Sequence, residues 1–94
     1  MNQLIPFDRP VLITDDTMHP RYDVGSYVVT TKSRRPKIGS RVLITYTNGT
    51  KTIREVASIE RDTIKLKQYN PIETEMVGIT KISDISVIDY SFEK

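Results

Sequence analysis

The chain has 94 residues, a net charge of +2 from 14 basic and 12 acidic side chains, and no cysteine. That length fits one domain with a single core, and the missing cysteines exclude disulfides, thiolate metal sites and cysteine nucleophiles. The charge falls short of the one-sided excess of a nucleic-acid-binding domain, the lone His19 excludes histidine metal clusters, and no apolar run approaches the ~18–20 residues of a membrane helix.

In chain order, the opening MNQLIPFDRP lacks the basic start and long apolar core of a signal peptide. With no cysteine, this sets the expectation of a cytoplasmic location. Residues 11–14 form a short apolar run. Residues 26–31 (SYVVTT) and 41–47 (RVLITYT) are rich in β-branched and aromatic side chains and read as strands. Asn48-Gly49 is a strong hairpin signal and pairs 41–47 with 50–59. Arg61-Asp62 turns into 63–68 (TIKLKQ), where Ile64 and Leu66 alternate with Lys65 and Lys67. A loop around Pro71 leads to a last apolar stretch, 76–92. No segment holds a helical period beyond a turn or two, so the expected class is mainly β, as one domain over 1–94.

Between the second and third segments, Lys32-Ser33-Arg34-Arg35-Pro36-Lys37 places four cations in six residues. Two readings apply: a phosphate-contacting patch, or a solvated turn fixed by Pro36. The turn is the better fit to so short a run.

The residues that could carry chemistry lie in ITDDTMHPRYDVGSYVVT, residues 13–30. A hydroxyl residue, Thr17, directly precedes Met18-His19-Pro20, and Gly25-Ser26 opens a strand shortly after. Gly39-Ser40 opens another strand, Arg54-Glu55-Val56 lies on the hairpin, and Tyr69-Asn70-Pro71 follows. In this order and register, the pattern resembles the C-terminal domain of LexA-like and phage repressors, a self-cleaving serine–lysine family related to signal peptidases. That family reads Gly-Asp-Ser-Met-x-Pro, then two Gly-Asp strand openings, then Lys-Arg-Leu, then x-x-Asn-Pro. The likeness spans about residues 10–90 and implies a compact, curved β-domain. It places Thr17 at the nucleophile position and Arg54 at that of the lysine base.

Those two substitutions decide the chemistry. A hydroxyl attacks only when a base takes its proton. A guanidinium stays protonated and cannot serve, and an internal threonine has no α-amine of its own to use. Lys51 lies three residues from Arg54, so strand alternation directs it away from Arg54's side. His19 reads as a turn residue rather than a base. The chain also lacks the Ala-Gly or Cys-Gly dipeptide that family members cut. Thr17 and Arg54 are therefore expected to be vestigial, with no catalytic residue, and Arg54 is expected to pair with Asp15, Asp16 or Glu55. Asp15, Asp16 and Asp23 fit turn and capping roles better than a cation loop, and Gly25, Gly39 and Gly49 do not form a phosphate cradle. No metal, cofactor or membrane contact is expected.

The resemblance implies a non-cleaving oligomerisation and regulatory domain of a phage-type transcriptional repressor. DNA would be bound only through a separate N-terminal domain, and induction would come from an antirepressor protein docking here. Two alternatives stand beside it: a residual self-cleaving or signal-peptidase-like hydrolase using Thr17, and direct nucleic-acid binding through the 32–37 loop. Self-association is expected at ISDISVIDYSF. Strand alternation sends Ile85 and Val87 to one face and Ile88, Tyr90 and Phe92 to the other, more apolar surface than a monomer usually exposes. A homodimer or higher oligomer follows, unless Leu4, Ile5 and Phe7 cover that face from the same chain.

Overall fold

The computed structural model describes residues 10–31 and 34–93. Lys32 and Ser33 of the basic run, and Leu4, Ile5 and Phe7 as a covering segment, lie outside the described residues. The described chain is mainly β: β1 (Val11–Leu12), β2 (Ser26–Thr31), β3 (Arg41–Tyr46), β4 (Lys51–Ile59), β5 (Thr63–Tyr69), β6 (Ile72–Gly78) and β7 (Ile82–Glu93). They form one antiparallel sheet in the order β1-β2-β7-β3-β4-β5-β6. A single 3-10 turn, Ile79–Lys81, stands before β7. Among the described residues, no helix is long and apolar enough to cross a membrane.

The hairpin at Asn48-Gly49 forms as the sequence suggests, but through a longer connection than two residues. Gly49 alone has positive φ, at 91°. Its N–H donates to the Tyr46 carbonyl at 2.9 Å, and the Tyr46 N–H donates to the Thr50 carbonyl at 2.8 Å. A type I turn followed by a left-handed glycine gives this pattern, and a β-branched residue there would be strained.

The apolar stretch expected over 76–92 is two strands, not one. The segment begins earlier, at Ile72, because Asn70 and Pro71 form a tight link that lets β6 return along β5 from Tyr69↔Ile72 to Thr63↔Gly78. The sequence conceals β6 because most of its side chains are exposed and Glu73 and Glu75 interrupt its apolar pattern.

Both faces of the sheet carry core. On one face, Val42, Ile44, Val56, Ile64, Leu66, Val77 and Val87 form a buried cluster, with Tyr46, Ile82 and Ile85 packed against it. These residues come from β3 to β7. No described helix or second sheet covers them, so the strands curve to bury one another. On the opposite face, Leu43, Ile53 and Val28 bury against Ile13, Met18 and Tyr22 from the β1–β2 connection. The radius of gyration, 13.2 Å, is close to the ~12 Å of a compact chain of this length.

One irregularity redirects the end of β7. Val29 pairs with Tyr90, but Thr30 pairs with Ile88, leaving Asp89 as an extra residue. Such a bulge reverses side-chain parity along the strand. Ile88 therefore shares a face with Thr30 and packs against the cluster around Met18. Tyr90 and Phe92 share the opposite face with Val29 and Tyr27. The expectation that Ile88, Tyr90 and Phe92 line one exposed face is thus corrected: half-buried Ile88 packs on the opposite face, and only Tyr90 and Phe92 are presented outward.

Candidate functional site

The connection between β1 and β2 is a series of turns over residues 15–25, held down by its own apolar side chains. Met18, 2% exposed, and Tyr22 insert under β3 and β4. The Tyr22 N–H donates to the Met18 carbonyl at 3.0 Å, which keeps the two anchors side by side. The buried Tyr22 hydroxyl accepts from Arg41 Nε at 3.2 Å, so its polar end has a partner.

Asp15 shapes the turn above those anchors. Its Oδ1 accepts from the Thr17 N–H at 3.1 Å and from Thr17 Oγ1 at 2.7 Å. An Asx turn of this kind is a frequent use of aspartate, and it gives Asp15 the turn role suggested by the sequence. The opposite side of the turn docks on the β5–β6 link. The Thr17 carbonyl accepts from both Tyr69 N, at 2.9 Å, and Asn70 N, at 2.8 Å. Asn70 Nδ2 donates to the Asp16 carbonyl at 3.2 Å. Two segments more than 50 residues apart in sequence therefore meet, and the prolines beside them, Pro20 and Pro71, both follow cis peptide bonds.

Arg54 completes the arrangement. Its Nη1 donates to Thr17 Oγ1 at 3.1 Å and to the Ile53 carbonyl at 2.7 Å. The guanidinium folds back over its own strand to reach the hydroxyl. Thr17 Oγ1 thus donates a hydrogen bond to Asp15 and accepts one from Arg54. The Asp15 carboxyl is held below its usual pKa, chiefly by the Thr17 hydroxyl and amide, with Arg54's positive charge adding to the effect. A carboxylate made less basic in this way is a poor proton acceptor for an alcohol.

Arg54's bonded partners differ from the expected set. Asp15 is linked to it only through Thr17, while Glu55 accepts a short hydrogen bond from the Tyr69 hydroxyl. The carboxylates that share a small recess with Arg54 are Glu73 and Glu75 on β6, a strand the sequence pattern did not reveal. Lys51 also departs from expectation in its surroundings. Parity does separate it from Arg54, but Lys51 and Ile53 are the β4 residues whose face borders the Thr17 turn. An open cleft of about 230 Å³ is lined by Val11, Ile13, Thr17, Met18, Leu43 and Lys51 among others. Lys51 is exposed there. His19 lies on the surface with its Nε2 3.8 Å from Asp23, and among the described residues no three acidic or histidine side chains gather as a metal site.

Sequence reasoning missed the neighbouring polar cluster of Tyr69, Glu55, Arg41 and Tyr22. Burial raises the Tyr69 pKa, and the Glu55 carboxylate adds to that, so the phenol remains a donor. The available signal was cross-strand: Arg41 pairs with Glu55, and Glu55 pairs with Lys67 two residues before Tyr69.

On β2 and β7, the rings of Tyr27 and Phe92 stack at 5.5 Å, and Tyr90 lies 6.3 Å from Phe92 in a tilted arrangement. Tyr90 is 51% exposed and Phe92 42%. The bulge residue Asp89 pairs with Arg34 at 3.2 Å and accepts a short hydrogen bond from Thr31 Oγ1. One of the loop's cations is thereby engaged within the chain, while Arg35 and Lys37 remain exposed.

A scan against protein-family models, a search of the curated proteins and a search of the solved structures each found no match.

Proposed function

We propose that this chain is a non-cleaving oligomerisation and regulatory domain of a phage-type transcriptional repressor, working in the cytoplasm. It would reach DNA through a separate N-terminal domain and be switched by a protein that docks on it. The observation that carries this reading is the hydrogen bond from Arg54 to Thr17. The two positions that the repressor-like pattern assigns to nucleophile and base are in contact, and both carry side chains unsuited to the reaction. The hydroxyl is clamped between a permanent cation and a weakly basic carboxylate, which suits a structural tie and not a nucleophile. Self-association would use the Tyr27, Tyr90 and Phe92 strip, in which Phe92 stacks on Tyr27 and both Phe92 and Tyr90 are half-exposed. Rigid aromatic surface of this kind is what dimer interfaces are enriched in.

The hydrolase alternative keeps one specific support, the presence of Lys51 beside Thr17 in the same cleft. Both readings are separated by one experiment. The chain is extended upstream with a segment containing Ala-Gly and incubated at alkaline pH, with mass spectrometry as the readout. The expected result is no cleavage for the natural residues or for Arg54→Lys alone, because Thr17 and its Asp15 clamp remain. Cleavage that disappears in Thr17→Ala, and falls in Lys51→Met, would establish the hydrolase and overturn the regulatory reading.

A further inference from the structure

The β5–β6 hairpin is charge-segregated between its faces. By register, Lys65, Lys67 and Tyr69 share one face with Met76, Thr74 and Ile72, while Glu73 and Glu75 lie on the other with Gln68 and Leu66. The lysine face continues onto the Met-His-Pro turn, where Pro20, Arg21, Lys67, Tyr69 and Ile72 line one shallow, largely apolar groove. Its cations are poised over aromatic rings: Arg21 lies 4.8 Å from the Tyr22 ring centre and Lys67 lies 6.0 Å from that of Tyr69. Glu55, which register places on the face of Lys67, is engaged by the Tyr69 hydroxyl, and Asp23 on the turn lies 3.8 Å from His19 Nε2. Ile72 is 76% exposed and Met76 is 52% exposed, an unusual combination beside lysines on an outer strand.

We infer that this groove is a docking site for an acidic, apolar segment of a partner protein. Ile72, Pro20 and the Tyr69 ring provide the apolar floor, and Arg21 and Lys67 provide the cationic rims. Charge complementarity selects this occupant: the rims are positive, and the acidic residues of the hairpin face away from them. Aliphatic Ile72 and Met76 suit the side chains of a peptide better than the stacked bases of a nucleic acid, which call for open aromatic platforms. The inference deepens the regulatory reading by giving the switching protein a place and a chemistry, and it rests on that reading only for the partner's biological role.

The probe is a synthetic 12-residue peptide of alternating leucine and glutamate, followed by fluorescence anisotropy and by amide chemical shifts of the labelled chain. A leucine–glutamine peptide, a single-stranded oligonucleotide and vesicles of anionic lipid are compared with it. The expected result is binding of the glutamate peptide at least about tenfold tighter than the glutamine peptide, weakening with salt. Shift changes should centre on Arg21, Lys67 and Ile72. Arg21→Glu with Lys67→Glu should lose about tenfold or more, and Ile72→Ser, at a position too exposed to affect folding, should weaken binding independently. Equal binding of the two peptides, tighter binding of the oligonucleotide or vesicles, or shift changes centred on Arg35 and Lys37 would overturn the site. Failure of the peptide to bind in a chain that does not cleave refutes the groove alone. Peptide binding at these residues in a chain that does cleave refutes the repressor reading alone.

Discussion

The Thr17 turn and the last residues of β7 treat their polar and apolar groups in opposite ways. At the Thr17 turn, the central polar groups are spent within the chain: the Thr17 hydroxyl on Asp15 and Arg54, its carbonyl on Tyr69 and Asn70, the Tyr22 phenol on Arg41. At the end of β7, Tyr90 and Phe92 stand half-exposed, packed mainly against each other and Tyr27. Polar groups satisfied internally stabilise the fold and have little capacity left for an external ligand, unlike the open groove of Pro20, Arg21 and Ile72 beside them. A stacked apolar strip held outward adds little to folding and leaves its binding free energy for association. Substitutions at the internally bonded groups and anchors of the turn should therefore show in stability, and those at the aromatic strip in assembly.

The largest effect is expected from Met18→Ala. Met18 is 2% exposed and anchors the turn against Leu43 and Ile53, so truncation should cost ~2–5 kcal/mol in denaturant unfolding. The loss should also loosen the Thr17–Tyr69 docking, seen as faster amide exchange at Tyr69 and Asn70. A destabilisation below about 1 kcal/mol would mean that the turn is held by its hydrogen bonds and not by its apolar anchors, which would reverse the comparison there.

Next is the pair Tyr90→Ser with Phe92→Ser. Dimerisation should weaken by about a hundredfold, in the range of aromatic interface hot spots, while monomer stability shifts by no more than about 1 kcal/mol. Sedimentation at micromolar concentration reads both forms. A natural chain that stays monomeric at hundreds of micromolar would remove the dimer, and a variant that assembles as well as the parent would move the interface elsewhere. Ile88→Ser sharpens the contrast: because the bulge turns Ile88 inward, it should behave as a core substitution and lose stability.

Thr17→Val removes only the hydroxyl and keeps the shape. Asp15 is exposed and Arg54 half-buried, so water can replace the lost partner, and the expected cost is ~1 kcal/mol. Thr17→Ser should be nearly neutral because the two hydrogen bonds survive. A shift of the denaturation midpoint with unchanged slope checks this, and a stabilised valine variant would show that the clamp is strained instead of supporting.

How much of this the sequence disclosed follows from how local each signal was. Strands β2, β3, β4 and β5 were legible because β-branched alternation and the Asn48-Gly49 turn act within a few residues. The turn role of Asp15 followed from its residue type, whereas the carboxylate partners expected for Arg54 gave way to the Thr17 hydroxyl and the Ile53 carbonyl. The β6 strand was hidden because an exposed edge strand needs no apolar alternation, and with it went Glu73 and Glu75 as neighbours of Arg54. The bulge at Asp89 was equally hidden. Nothing in ISVIDYSF marks the extra residue, whose placement depends on Thr31 and Arg34 elsewhere in the chain. Lys51 shows the same limit: parity along β4 was read correctly, but which face meets the turn is a tertiary fact.

The smallest expected effect is the pH dependence contributed by Asp15. Its carboxyl is held below the ordinary value of 3.8, first by the Thr17 hydroxyl, then by the Thr17 amide, with Arg54's charge behind them. A pKa lower in the folded than in the unfolded chain means that folding favours the ionised form. The resulting stability is fully present above the unfolded value, and it is lost as pH falls through the lower folded one. Asp15→Asn keeps an amide oxygen for the Thr17 N–H but removes the charge. The natural chain should therefore be more stable than Asp15→Asn at neutral pH, with the difference closing below about pH 4. Because the carboxylate is largely in water, screening keeps the gap to a fraction of the Thr17→Val cost. Carbon NMR titration of the Asp15 carboxyl gives the sharper reading. A midpoint below 3.8 that moves up in Thr17→Val would place the hydroxyl as the main cause. A midpoint unmoved by that change would leave the Thr17 amide and Arg54 as the principal influences, and the hydroxyl's tie to Asp15 would then contribute little to holding the turn.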